Sequence, residues 1–359
     1  MDADSKYMTR ALELAARGRG ATRPNPMVGC VIVQDGEVLA EGFHTQAGAP
    51  HAEVEAVRAL KGSLKDQTVY INLEPCCFSG KTPPCTDLFL NDHPLRVVVA
   101  MEDPNPKVAG KGIQLLRDAG IQVDVGILED EARRLNEVFI KNITTGKPFV
   151  IAKCAMSLDG KIATRTGHSQ WVTGETARHH VHLLRNEVDA ILVGSRTVML
   201  DNPSLTTRLD QKNTKDPIRI VLDAGEYLDA NCKIFHLDSK APTWIATASQ
   251  RVYDCADDTI YLPKGDGGVH MAHLFDELGK RGITSLIIEG GGTTLATAFE
   301  AGLVDKVLFF IAPKIVGGKA AITPVEGLGV ETMDQAVTLY ELQVHPMGND
   351  ILVEAYVKL

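Results

Sequence analysis

Residues 51–85 read HAEVEAVRALKGSLKDQTVYINLEPCCFSGKTPPC, and His51, Cys76 and Cys85 within them offer an imidazole and two thiolates. Zinc prefers those donors and is usually four-coordinate, and a catalytic site leaves one position open to water. Three protein ligands leave that position free. Glu53 stands two residues beyond His51, close enough to reach such a water without binding the metal. Cys77 offers a fourth ligand, which would close the site and make it structural. Side chains of adjacent cysteines diverge, so the expectation is an open site holding one Zn2+ per chain.

A histidine and two cysteines around zinc, beside a glutamate that shuttles protons, is the arrangement of zinc deaminases. The flanking sequence predicts how a fold supplies it. His51 opens a helix that runs to Leu60, a buried strand over 69–73 ends before Glu74-Pro75-Cys76, and a further helix begins near Thr82-Pro83-Pro84. The ligands therefore fall near helix starts, where the partial positive charge favours thiolates. Upstream, Asp4 or Ser5 caps a first helix, and 28–33 and 38–42 flank an Asp35-Gly36 hairpin turn. Downstream, strand 96–100, helix 110–119 and strand 121–127 continue the alternation, and a helix over 129–142 closes this half.

The 359 residues are too many for one compact core, so two α/β domains are expected, 1–145 and 146–359, joined by a linker over 144–148. The second half alternates again: strands at 149–155, 190–193, 218–222, 243–246 and 285–288, helices at 175–186 and 269–280. A net charge of -9 argues against nucleic acid as partner. Seven cysteines, an odd number in a long chain, fit a reducing compartment. With an acidic N-terminus unlike a signal peptide and no apolar run of spanning length, a cytoplasmic protein without membrane contact is expected.

On the residues Pro24-Asn25-Pro26-Met27-Val28-Gly29, His51-Ala52-Glu53 and Glu74-Pro75-Cys76 through Cys85, the first half resembles the deaminase domain of the bifunctional riboflavin-biosynthesis deaminase/reductases, the RibD family. Eight residues separate the two cysteines, unlike the Cys-x-x-Cys of ordinary cytidine and tRNA deaminases. One departure stands out: Phe78-Ser79 replaces a histidine usual in the family after the first cysteine. The second half resembles the family's reductase domain through 153–161, 169–171, 194–197, 201–203 and 289–293.

The resemblance implies a cytidine-deaminase-like three-layer α/β/α domain followed by a dihydrofolate-reductase-like α/β domain. It implies zinc-dependent deamination of a diaminopyrimidinone ribose phosphate, with Glu53 moving protons, then NADPH-dependent reduction of the ribosyl to a ribityl chain. Substrate would meet Asn25, His44 and Lys81 in the first half, and Ser169, Arg185, Leu205, Arg208 and Glu289 in the second. Lys153, Asp201 and Glu289 would surround the reacting sugar. NADPH would meet Ala155, Trp171, Ser195, Arg196, Thr197, Asp201, Gly291, Gly292, Thr293 and Thr294. A homo-oligomer formed through the reductase domain is also implied.

Read on their own, these residues are less decisive. Glu289-Gly290-Gly291-Gly292 follows an apolar strand and opens a helix, so its N–H groups suit a diphosphate, yet a tight turn reads the same. Leu295 stands where the third glycine of a Rossmann fingerprint would be. Arg185 or Arg208 suits a phosphate, since guanidinium forks match its oxygens. Trp171 reads equally as core or as cofactor contact, and Cys154 and Met156 read as core.

Overall fold

The computed structural model describes residues 2–358 apart from 79–82, 211–213, 226–227 and 266–267. The chain divides into two compact units, residues 1–146 and 147–359. No described helix is long and apolar enough to cross a membrane.

In the first unit, helix α1 (Ala3–Ala16) buries Tyr7, Met8, Ala11, Leu14 and Ala15, the helical spacing of an amphipathic face. Its N-cap is Asp2, which accepts from the Ser5 N–H at 2.7 Å, rather than Asp4 or Ser5. Asp4 turns instead to Arg96 and Tyr70. Strands β1 (Gly29–Gln34) and β2 (Glu37–Phe43) form the expected hairpin, with Asp35 and Gly36 both at positive φ. Helix α2 (Ala52–Ala59), β3 (Thr68–Ile71), α3 (Cys85–Asp92), β4 (Arg96–Val99), α4 (Lys111–Asp118) and β5 (Gln122–Val125) follow.

The sheet order is β2-β1-β3-β4-β5, antiparallel at β1 and parallel from β3 onward. Alternate side chains of β1 face opposite layers. Cys30 and Ile32 pack with Ala52, Ala56, Phe89 and Ile113 of α2, α3 and α4. Val31 and Val33 pack with Met8 and Ala11 of α1 on the other face. This is the three-layer α/β/α fold. Phe89, fully buried one turn after Cys85, ties α3 to the sheet, and its truncation to alanine costs about 3–5 kcal/mol.

The expected end of this half needs correction. The closing helix is two, α5 (Glu129–Leu135) and α6 (Glu137–Thr145), because Asn136 breaks it. Asn136 is buried, and its Oδ1 accepts from the Met27 N–H at 2.8 Å while its Nδ2 donates to the Met27 carbonyl at 3.0 Å. Helix α6 also takes in Thr144 and Thr145 of the expected linker and ends at Gly146, whose φ is 71°.

The second unit is built on a nine-stranded sheet. Its elements are β6 (Phe149–Ser157), α7 (Glu175–Glu187), β7 (Ala190–Gly194), α8 (Ser195–Asp201), β8 (Ile218–Asp223), β9 (Thr243–Thr247) and β10 (Asp258–Tyr261). A two-stranded ribbon of β11 (Lys264–Gly265) and β12 (Gly268–Val269) precedes α9 (Met271–Lys280). Strand β13 (Ser285–Glu289), α10 (Gly292–Glu300), β14 (Lys306–Ala312), β15 (Leu339–Met347) and β16 (Asp350–Val357) complete it. The order is β10-β9-β8-β7-β13-β6-β14-β16-β15, parallel from β10 to β14 and antiparallel for the last two strands. Central strands buried on both faces, such as β13, read as continuous apolar runs. Lys153 on β6 and Glu289 on β13 are register partners, which sets the second site.

Candidate functional site

In the first unit, His51 is the N-cap of α2 and Cys85 is the first residue of α3, while Cys76 lies in the loop after β3. Their donor atoms lie within 4.8 Å of one another. His51 Nδ1 is 3.2 Å from Cys85 Sγ and 3.7 Å from Cys76 Sγ, and the Cys85 N–H donates to Cys76 Sγ at 3.3 Å. The Cys85 and His51 hydrogen bonds push the Cys76 thiol down. The same sulfur pair, with burial and Glu53, pushes Cys85 up. Three donors sharing protons across so small a space are what a soft cation would displace and replace, so the set fits zinc.

Glu53 is 3% exposed, and burial and the Cys76 charge push its carboxyl up to about 7. Glu74, which the sequence reasoning left unassigned, is buried and gathers four backbone N–H groups. These are Asp103 at 3.0 Å, Gly110 at 2.9 Å, Gly112 at 2.8 Å and Ile113 at 3.2 Å. The segment entering Cys76 is thereby pinned to the start of α4. The signal was an acid just beyond an apolar strand and beside Pro75-Cys76.

His44 Nδ1 lies 2.9 Å from the Pro50 carbonyl, and its Nε2 lies 3.1 Å from Asn25 Nδ2. Burial pushes its pKa down, so a neutral ring donates to Pro50 and accepts from Asn25. Both nitrogens of His44 are thus engaged inside the chain, and it props Asn25 and the residue before His51. Lys81 and Ser79 lie outside the described residues, and Phe78 is exposed.

The second unit holds a cavity of about 570 Å³. Lys153, Ala155, Ser169, Trp171, Arg185, Arg196, Thr197, Asp201, Leu205, Arg208, Glu289, Gly291, Gly292, Thr293 and Thr294 all line it. Ser195, buried at the start of α8, is not on its wall. Arg185 Nε and Nη2 each donate to a Glu289 oxygen at 2.8 Å, and Lys153 Nζ lies 3.5 Å from the same carboxylate. Burial works against the Glu289 charge, but Arg185 and Lys153 prevail and hold it at about 2. Ser169 donates to Asp201 at 3.0 Å.

The glycine turn is a cradle. Gly290 and Gly291 have φ of 100° and 77°, and a Cβ on Gly292 would lie 2.6 Å from the Thr323 carbonyl. The positive-φ glycines at the start of α10 suit a diphosphate and the residues fit a dinucleotide, provided that the Glu326 carboxylate, whose side chain packs on Gly292 and which accepts from Thr293 Oγ1 at 3.0 Å, gives way to it. Trp171 is 61% exposed, with the Arg178 guanidinium 4.8 Å from its ring, so it belongs to the cavity and not to the core. The sequence reasoning missed Arg178, His182 and Glu326, which also line the cavity. His182 carried a usable signal, being three residues before Arg185 on one helix face.

Comparison with known proteins agrees with this geometry. Residues 148–353 match the model of the RibD C-terminal domain, and residues 1–101 match that of the cytidine and deoxycytidylate deaminase zinc-binding region. The riboflavin biosynthesis protein RibD of Actinobacillus pleuropneumoniae is 43% identical, over 98% of this chain and 94% of its own. RibD of Escherichia coli (strain K12) is 41% identical, over 97% of this chain and 98% of its own. A solved structure of Acinetobacter baumannii RibD superposes with a TM-score of 0.88 at 36% identity, covering 99% of both chains. A Thermotoga maritima structure, described as a diaminohydroxyphosphoribosylaminopyrimidine deaminase/5-amino-6-(5-phosphoribosylamino)uracil reductase, gives 0.86 at 35%, again over 99% of both. The two units thus have a deaminase-like α/β/α fold and a dihydrofolate-reductase-like α/β fold. From the full-length similarity in both units, this chain belongs to the RibD family of riboflavin-biosynthesis proteins.

Proposed function

We propose that the first unit deaminates 2,5-diamino-6-(5-phosphoribosylamino)pyrimidin-4(3H)-one to 5-amino-6-(5-phosphoribosylamino)uracil, and that the second reduces the ribosyl group to ribityl with NADPH. The observation that carries the reading is the convergence of His51, Cys76 and Cys85 beside a buried Glu53. His51 Nδ1 and the two sulfurs would hold zinc, which when bound supplies Lewis acidity for hydrolysis. Glu53 takes a proton from the attacking water and gives it to the ring nitrogen, then takes the remaining hydroxyl proton of the adduct and gives it to the amine, which leaves as ammonia. Asn25, held by His44, orients the pyrimidine.

In the second unit, NADPH when bound supplies the hydride. Gly291, Gly292, Thr293 and Thr294 would receive its diphosphate, with Ala155, Trp171 and Thr197 along its length. Lys153 and Glu289 flank the sugar carbon, and Ser169 with Asp201 orients the sugar. A second copy of this chain is proposed to pack on the edge strand β15, whose Tyr340, Leu342 and Val344 are 47%, 60% and 54% exposed.

The test is zinc content measured alongside both half-reactions on one preparation. Cys85→Ser should lose zinc and ammonia release together, because a hydroxyl is a poor substitute for thiolate. Glu53→Gln should keep zinc while deamination falls on the order of 10²-fold or more. Full ammonia release by zinc-free protein would sink the reading.

A further inference from the structure

Trp171 stands exposed on the cavity wall of the second unit, in a stretch that belongs to no helix or strand. An indole on such a stretch tends to fold down onto the nearest apolar surface. Side chains from three other parts of the unit hold its backbone instead. Lys314, on the loop after β14, donates Nζ to the Trp171 carbonyl and to the Val172 carbonyl, both at 2.7 Å. Arg178 of α7 donates Nη1 to the Thr173 carbonyl at 2.7 Å, and its guanidinium lies against the indole. Asp350, buried at the start of β16, accepts from the Gly174 N–H at 2.6 Å.

Lys314 grips the carbonyl of Trp171 itself, and it does so without lining the cavity. Peptide units are planar, so fixing two successive carbonyls fixes both planes and the Cα from which the indole springs. The lysine is in turn held by β6. The Leu158 N–H donates to the Lys314 carbonyl at 2.9 Å. The Asp159 carboxylate accepts from the Val316 N–H at 3.1 Å, the Gly317 N–H at 2.7 Å and the Ser157 hydroxyl at 2.6 Å. The Ser157 hydroxyl and the two N–H groups hold the Asp159 carboxyl down at about 2, so it is ionised near neutral pH. Ser157 ends β6, the strand that brings Lys153 and Ala155 to the cavity. The place of Trp171 is thereby tied to the strand that carries the opposite members of the same wall.

We propose that Lys314 is a positioning residue for the cofactor: it stays clear of the dinucleotide and holds Trp171 where the dinucleotide will lie. This rests on the reading that the second unit binds NADPH with Trp171 along its length. A wall ordered before the ligand arrives spares association the cost of ordering it, and affinity rises without a new contact. Lys314 is exposed and outside the core, so its replacement leaves the packing of the unit intact.

The experiment is calorimetric titration of the full chain with NADPH, beside steady-state reduction. Lys314→Met, which keeps the stem and removes the donors, should raise the NADPH Kd and KM about tenfold with kcat nearly unchanged. Lys314→Arg, which can still donate to both carbonyls, should restore most of the loss. The chain has two tryptophans, so in a Trp244→Phe background fluorescence reports Trp171 alone. There Lys314→Met should make the indole more open to acrylamide quenching, and Lys314→Arg should reverse that. The deciding readout is a double-mutant cycle: in Trp171→Ala, Lys314→Met should weaken NADPH no further, because what the lysine holds is gone. A general loosening of the unit, or a bare pull of positive charge on an anionic cofactor, would persist in that background. Additive losses, or wild-type affinity in Lys314→Met, remove Lys314 from cofactor positioning. A wild type that does not bind NADPH, or a Trp171→Ala that binds it unchanged, overturns the cofactor reading itself.

Discussion

Glu289 shows how much a single buried acid can weigh on the whole unit. Its carboxylate sits between Arg185 and Lys153 at the end of β13. The gap between the usual carboxylate value near 4.5 and about 2 corresponds to roughly 3 kcal/mol. An acid held below its ordinary range stabilises the fold at every pH above that range, and the contribution is lost as pH falls toward 2. Urea unfolding of the wild type should therefore lose about that much stability between pH 5 and pH 2. Glu289→Gln should start lower at pH 7 and show a flatter acid limb, because a neutral amide cannot be titrated. Parallel acid limbs for the two proteins would show that the pair contributes nothing to folding. Family resemblance singled out this residue as a candidate, but its pairing with Arg185 was not foreseen. Arg185 lies 104 positions earlier, and only the fold brings the two together.

The break between α5 and α6 is a lesson at the level of elements. Apolar spacing over 129–142 suits one continuous helix, and local propensity offers nothing against it. The deciding contact is Asn136 with the backbone of Met27, 109 positions away. Asn72 grips the same segment, its Oδ1 accepting from Gly29 N–H at 2.8 Å and its Nδ2 donating to Met27 carbonyl at 3.0 Å. Two buried amides thus fix the turn that carries Asn25. Asn136→Ala should cost about 1–3 kcal/mol, since it leaves the half-buried Met27 N–H without its acceptor. Denaturant unfolding, read on the first unit's ellipticity, is the check, and an unchanged midpoint would make the break incidental. The cap of α1 follows the same pattern. Asp4 is as good a cap as Asp2 by residue type, but its carboxylate is drawn to Arg96, 92 positions downstream. The apolar runs of β6, β7, β8, β9 and β13 were legible, whereas β14 and β16 went unread despite their apolar residues, and β15, exposed along most of its length, carries no burial pattern to read.

Across the whole molecule, legibility followed locality. The candidate metal ligands and Glu53 lie within 35 consecutive residues, 51–85, and their spacing alone singled them out. The reductive cavity draws its wall from residues 153 to 326, so most of its members were named through family resemblance, and His182 emerged only once the Arg208 loop had folded onto it. Because each unit has its own core and its own site, substitutions in one should spare the other. Asp201→Asn should slow the reduction and leave ammonia release near normal, and Glu53→Gln should do the reverse when deaminated intermediate is supplied. One substitution silencing both reactions in folded protein would mean that the sites are shared. Self-association is checked by sedimentation: wild type should sediment as a dimer or larger, and Leu342→Lys should shift it toward monomer, while identical profiles would place the contact elsewhere. Each unit is also one unbroken stretch of chain, with α6 ending at Gly146 and β6 starting at Phe149. Every copy of this chain therefore carries both units in equal number, so that on it the balance between the two proposed steps is set by the turnover of each unit.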